Sequence, residues 1–131
     1  MKIIIDASVF IDYLRRKQRL DTLYAQIQFN NELVTSIVIL GEVYSGKSAQ
    51  LNGEQRETIE EIVNGIEIIS PTLKTAQHVG SLRYSYDMSL GDAFIAALAI
   101  ELTCPLATLN SRHFQKIPSL SLFTPHTSPL P

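Results

Sequence analysis

The stretch Lys2-Ile3-Ile4-Ile5-Asp6, at the start of the chain, decides how the rest is read. Lys2 to Ile5 is a short apolar run that ends on a polar residue, the pattern of a buried strand. Apolar strands that alternate with helices imply a mostly parallel sheet covered on both faces. Ligands in such sheets bind outside the carboxyl ends of the strands. Two polar residues stand at such ends: Asp6 after KIII, and Asn110 after the run Leu106-Ala107-Thr108-Leu109.

Working outward, Ser8 is placed to cap a helix in which Val9, Tyr13 and Leu14 share a face. That helix ends near the basic cluster Arg15, Arg16, Lys17 and Arg19. A second helix is expected over 21–28 and a strand over 33–35. The segment 36–45 is open between a longer strand and a buried helix. Asn52-Gly53 is a break, and 54–64 has Ile59, Ile62 and Val63 on one side, as an amphipathic helix does. A strand is expected over 67–70. Pro71 fits the first turn of a helix running to about Tyr86, and Ser89 starts another through Leu102. A strand at 105–109, a short helical turn at 112–115 and a last strand at 119–123 complete the domain, 1–124. The tail, 125–131, carries Pro125, Pro129 and Pro131 and is expected to be extended.

The 131 residues suit one domain with one core. At 45% hydrophobic and 18% charged, the composition is that of a globular chain. The longest apolar stretch, Ala93 to Ile100, is eight residues, far short of the ~20 that span a bilayer. The opening residues are too short for a signal peptide, so no membrane and a cytoplasmic location are expected. A single cysteine, Cys104, forms no internal disulfide and reads as a buried thiol. His78, His113 and His126 lack zinc-ligand spacing. A net charge of −2 gives no bulk attraction for nucleic acid, so any such binding must come from local basic patches and a bound cation.

Three acids stand out. Asp6 follows a buried strand directly, and also suits a helix cap. Glu42 lies in the largely apolar VTSIVILGEVYSG, and a glutamate is rarely buried without a partner. Asp92 lies in SLGDAFIAALAIEL, where Ser89-x-x-Asp92 has capping-box spacing, yet the helix is apolar nearly all round and must be buried. Asp12, Asp21 and Asp87 read as solvent or turn residues. Clustered carboxylates repel and raise one another's pKa. A hard divalent cation, which prefers oxygen ligands, removes that cost and activates a water against a phosphodiester.

Four segments, IIIDASVFIDYL, TSIVILGEVYSG, LSLGDAFIAALAIEL and CPLATLNSRHFQKIPSL, occur together and cover essentially the whole chain. In them the sequence resembles the PIN-domain nucleases, and among these the VapC-type toxins of toxin–antitoxin pairs. The resemblance implies a three-layer α/β/α sandwich around a mostly parallel sheet. It also implies a homodimer, dependence on Mg²⁺ or Mn²⁺, hydrolysis of RNA, and inhibition by a cognate antitoxin that lays a helix or strand along the active-site groove. It assigns the family's first three acids to Asp6, Glu42 and Asp92, and favours helix over 37–45. Ser8, in D-x-S, and Asn110 are candidate supporting residues. Many members carry a fourth acid where this chain has Asn110 and His113, which puts a two-metal site in doubt.

Arg112 and Lys116 are the better candidates for RNA phosphates, and the cluster at Arg15 to Arg19 reads rather as a solvated helix end. Tyr44 is a candidate for base stacking, and Phe114 fits the core better. Gly41 to Ser48 matches the P-loop pattern G-x-x-x-x-G-K-[ST]. Glu42 would put a negative charge into that phosphate cradle, and the break at Asn52-Gly53 cuts short the helix the motif needs. No nucleotide cofactor is therefore expected. A haloacid-dehalogenase-like phosphatase needs an aspartate where Ser8 stands, and a receiver domain needs a lysine where Asn110 stands. The remaining alternative is a PIN-like protein that binds RNA or a partner without cutting.

Overall fold

The isoleucine run forms strand β1 (Lys2–Ile5) in the computed structural model, which describes residues 1–124. Ile3, Ile4 and Ile5 have no exposed surface, so both faces of the strand are covered. The chain continues through α1 (Ala7–Arg15), α2 (Leu23–Ile27), β2 (Glu32–Ser36), α3 (Ile37–Tyr44), α4 (Lys47–Leu51) and α5 (Gly53–Gly65). It then forms β3 (Glu67–Ile69), α6 (Leu73–Ser85), α7 (Leu90–Leu102), β4 (Leu106–Ala107) and a 3-10 turn at Ser111–His113. The expectation for the tail, 125–131, falls outside the described residues.

The strands pair in parallel in the order β3-β2-β1-β4. Ile4 lies opposite Val34 on one side and Leu106 on the other. The chain winds outward from β1 to β3 and then returns to the far side of β1. Right-handed crossovers therefore put α1 to α5 on one face and α6 and α7 on the other. In the contacts, α1 packs on α2, α3 and α4, α6 packs along α7, and α3 also meets α7. The result is the expected α/β/α sandwich. Its winding reverses between β1 and β4, and the crevice for a ligand opens at that reversal.

Two serines settle the helices that matter most. Ser36 ends β2 and its Oγ accepts from the Val38 amide at 3.2 Å, so the apolar run after it is a helix, α3. Ser89 does the same for α7, accepting from the Asp92 amide at 3.1 Å. α7 then buries Ala93 and every residue from Ile95 to Ala99. No described helix is long and apolar enough to cross a membrane, and Cys104 is buried.

Several boundaries differ from expectation. Ser8 lies inside α1 and caps nothing; Asp6 holds the N-cap position, without a side-chain cap bond. Pro71 precedes its helix, because Thr72 and Thr75 form a reciprocal cap one residue later. β4 stops at Ala107 because the next amides turn to side chains: Leu109 donates to Ser8 Oγ and Asn110 to Thr108 Oγ1. With so short a neighbour, the segment expected as a last strand makes only a bridge, Leu106 to Leu122. The one-turn helix α4 was not anticipated.

Candidate active site

Asp6, Glu42 and Asp92 line one cleft at the carboxyl edge of the sheet, where β1 and β4 diverge. Each comes from a different crossover. β1 delivers Asp6 directly. The cap at Ser36 sets the phase of α3 and so the place of Glu42. The cap at Ser89 puts Asp92 in the first turn of α7.

Asp6 is only 4% exposed. Its Oδ2 accepts from Thr108 Oγ1 at 2.8 Å and from Ser8 Oγ at 3.0 Å. Both hydroxyls are oriented in turn, since Ser8 Oγ accepts the Leu109 amide and Thr108 Oγ1 the Asn110 amide, each at 3.0 Å. Each hydroxyl thus accepts from an amide and donates to the carboxylate, and the two hydroxyl oxygens lie 3.3 Å apart. Burial nevertheless pushes the Asp6 pKa up; the Thr108 and Ser8 hydroxyls and the Ala7 amide pull it back, and Asp92 pushes it up again. Thr108 was missed in the sequence, though a hydroxyl at the end of a strand beside that of Asp6 was a usable signal.

Glu42 differs. It is an exposed residue, and no hydrogen bond or ion pair involves its carboxylate among the described residues. Its pKa is raised by partial burial first, then by the charges of Asp6 and Asp92. Asp92 accepts at Oδ2 from His113 Nδ1, or from its protonated form, at 3.0 Å. Only half of the Ser89-x-x-Asp92 box forms: the Asp92 amide caps onto Ser89 while its side chain turns to His113. The cap thus forms while the Asp92 side chain still lines the cleft.

Asn110 lies between this cleft and a second one, and Asp92 is likewise shared. The second cleft carries Arg112 and Lys116, with Tyr86 and His113 beside them. Of the basic cluster, Arg16 pairs with Asp12 and Asp21 and Arg19 with Asp21, as a solvated helix end does. Arg15 and Asp12 face the acidic cleft instead, which their spacing did not signal. Phe114 has no exposed surface and belongs to the core. Tyr44 lies under the Arg56 guanidinium, 5.4 Å from the ring centre. The P-loop reading fails on geometry: helix α3, not a strand, precedes Gly46, and α4 is five residues long. A larger cavity at the opposite edge of the sheet, about 550 Å³, is bordered by Glu32, Glu61 and Glu67 and contains none of the candidate residues.

The three carboxylates supply the oxygen donors that a hard divalent cation prefers. The donors are all oxygen, their charges crowd one cleft, and two of their pKa values are already pushed up partly by one another. Among the described residues no three His, Cys, Asp or Glu side chains stand close enough together to hold one metal ion. Magnesium commonly takes one or two carboxylates and completes its shell with water.

The chain is 29% identical over 121 residues to ribonuclease VapC1 of Methanocaldococcus jannaschii, spanning 92% of this chain and 85% of that one. It is 29% identical over 99 residues to ribonuclease VapC2 of Rickettsia felis, spanning 71% and 74%. Among solved structures it is similar to VapBC2 from Rickettsia felis bound to a promoter DNA fragment, with a TM-score of 0.79 at 22% identity over 94% of this chain and 98% of that one. It is also similar to DNA-bound VapBC from Salmonella typhimurium, with a TM-score of 0.77 at 20% identity over 94% and 97%. The model of the PIN domain matches residues 3–120, from the isoleucines of β1 to beyond the short turn after β4, and the chain belongs to the PIN domain family.

Proposed function

We propose that the protein is a divalent-metal-dependent endoribonuclease that acts as the toxin of a toxin–antitoxin pair. The observation that carries this reading is the convergence of Asp6, Glu42 and Asp92, from three separate segments, on one cleft at the reversal of the sheet. The names of the ribonuclease relatives and of the toxin–antitoxin structures support it.

In this reading the three carboxylates hold one Mg²⁺ or Mn²⁺. When bound, the ion supplies a Lewis acid that eases deprotonation of a water and offsets charge on a phosphoryl oxygen. Ser8 and Thr108 fix the carboxylate plane of Asp6, and His113 fixes that of Asp92. Asn110, on the border of the two clefts, offers a further polar group beside the reacting phosphate. Arg112 and Lys116 take the backbone of the flanking nucleotides. Attack is in line, leaving a 5′-phosphate and a 3′-hydroxyl. The 2′-hydroxyl is not used as nucleophile, so a 2′,3′-cyclic phosphate product would contradict the scheme.

The partners in this reading are an RNA substrate, a second copy of the chain and a cognate antitoxin whose Arg or Lys meets the acids. One observation favours a second reading, a protein that binds RNA or a partner without cutting it. The place of a fourth acid is taken by Asn110 and His113, and His113 is engaged with Asp92. The test is cleavage of a mixed pool of structured RNAs with Mg²⁺, Mn²⁺ or EDTA, beside Asp6→Asn. Cutting that needs metal and is lost in the variant supports the nuclease. Folded, antitoxin-free protein that binds the metal and RNA but leaves the RNA whole supports the second reading.

A further inference from the structure

Gly91, the second residue of α7, stands immediately before Asp92. A glycine near the start of a helix is a weak choice, because alanine holds the helical backbone better. No described glycine has a positive φ, so Gly91 is not there to permit a left-handed backbone. Nor does a neighbouring main chain crowd it. The three heavy atoms nearest to a Cβ built at this position all belong to the carboxyl end of Glu42: it would collide with Oε1 and lie 2.9 Å from Cδ and 3.5 Å from Oε2. Gly41, Gly53, Gly65 and Gly80 have open space where their Cβ atoms would be.

The place that Gly91 leaves empty is therefore the place of the Glu42 carboxylate. No hydrogen bond or ion pair among the described residues holds that carboxylate. It lies against the first turn of α7, where free backbone amides favour negative charge. The contact is also one-sided in its consequences. A methyl group at 91 displaces only the free end of a flexible side chain, so the fold accepts it while Glu42 leaves the cleft.

We propose that Gly91 is a positioning residue for the acidic site: by lacking a side chain it seats the Glu42 carboxylate beside Asp92. This rests on the reading of the three acids as a metal-holding unit. It concerns how one of them is placed, not whether the ion binds.

The test uses the full chain, with Mn²⁺ affinity measured by calorimetry and thermal stability measured in EDTA. The variants are Gly91→Ala, Glu42→Gln, the double variant and, as a control, Gly80→Ala in α6. Gly91→Ala is expected to melt at or above the wild-type temperature yet to bind Mn²⁺ roughly tenfold or more weakly. Glu42→Gln should lose as much, and the double variant no more than either alone. Gly80→Ala should bind as the wild type does. Wild-type Mn²⁺ affinity in Gly91→Ala overturns the inference, as do additive losses in the double variant. So does failure of Gly91→Ala to fold, since the glycine then serves the packing of α7. If the wild type binds no Mn²⁺, the metal-holding reading itself fails and this inference falls with it. Binding kept by both the wild type and Gly91→Ala overturns the inference alone.

Discussion

Asp6 and Glu42 face the same cleft, but one is 4% exposed and bonded to two hydroxyls, while the other is exposed and bonded to nothing described. Asp6 sits where β1 and β4 part, and every hydroxyl around it is fixed by a backbone amide. Glu42 reaches across from α3 to α7 and rests in the space left by a glycine. The first carboxylate is held by a network that also ties together the loop after β4 and the start of α1. The second is held by shape alone. Changes to the hydroxyls that hold Asp6 should therefore move stability and activity together, and changes on the Glu42 side should move activity only.

The largest effect is expected from Asp6→Asn, which should reduce RNA cleavage to the background of the assay. Stability should not follow in EDTA, because burial disfavours the native carboxylate and an amide oxygen can still accept from Ser8 and Thr108. A melting temperature at or above that of the wild type is the expected result. Glu42→Gln should also lose cleavage severely, with stability within about 0.5 kcal/mol of wild type, as for a surface change that breaks no partner. A clear destabilisation would show that Glu42 has a structural partner and would break the contrast.

Thr108→Val sharpens it from the other side. It removes the donor to Asp6 and leaves the Asn110 amide without its acceptor. Denaturant unfolding should show a loss of about 1–3 kcal/mol, and cleavage should fall roughly 10- to 100-fold. Unchanged stability would mean that the network does not hold the loop.

A smaller effect concerns pH. The native pKa values of Asp6 and Glu42 are raised, mainly by burial. In the unfolded chain both groups ionise near their ordinary values, 3.8 and 4.5. Above its native pKa each group therefore costs the folded state stability. That cost is relieved as pH falls through the native pKa toward the ordinary one. Melting of metal-free protein against pH should show this gain in the wild type, and less of it in Asp6→Asn and Glu42→Gln. The smallest effect is expected for His113→Ala. Its bond to Asp92 is at the surface, so stability should change by less than about 1 kcal/mol, with a partial loss of cleavage.

The sequence carried much of this because its strongest signals are local. An isoleucine run followed by aspartate places Asp6 at a strand end without reference to anything distant. The caps at Ser36 and Ser89 are equally local, although the apolar run after Ser36 fits a buried strand as well as a helix, so only the resemblance favoured the helix there. What stayed hidden depends on contacts distant along the chain. Ser8 looks like a cap until Thr108 and the Leu109 amide arrive from the far end of the sequence. Asp12 and Arg15 look like one solvated helix surface until the cleft forms beside them. Gly91 carries no signal in its own neighbourhood, since its meaning lies in a side chain forty-nine positions earlier. The Pro71 boundary failed for a different reason: two competing start signals stand in adjacent residues, and the threonine cap prevails.

The most direct test of the central claim, that Asp6, Glu42 and Asp92 act as one metal-holding unit, is Mn²⁺ affinity in the wild type and in Asp6→Asn, Glu42→Gln and Asp92→Asn, each checked for folding. Binding by the wild type and a marked loss in every one of the three variants are expected. Wild-type affinity in Asp92→Asn would leave Asp92 as a helix-start residue alone and would contradict the claim.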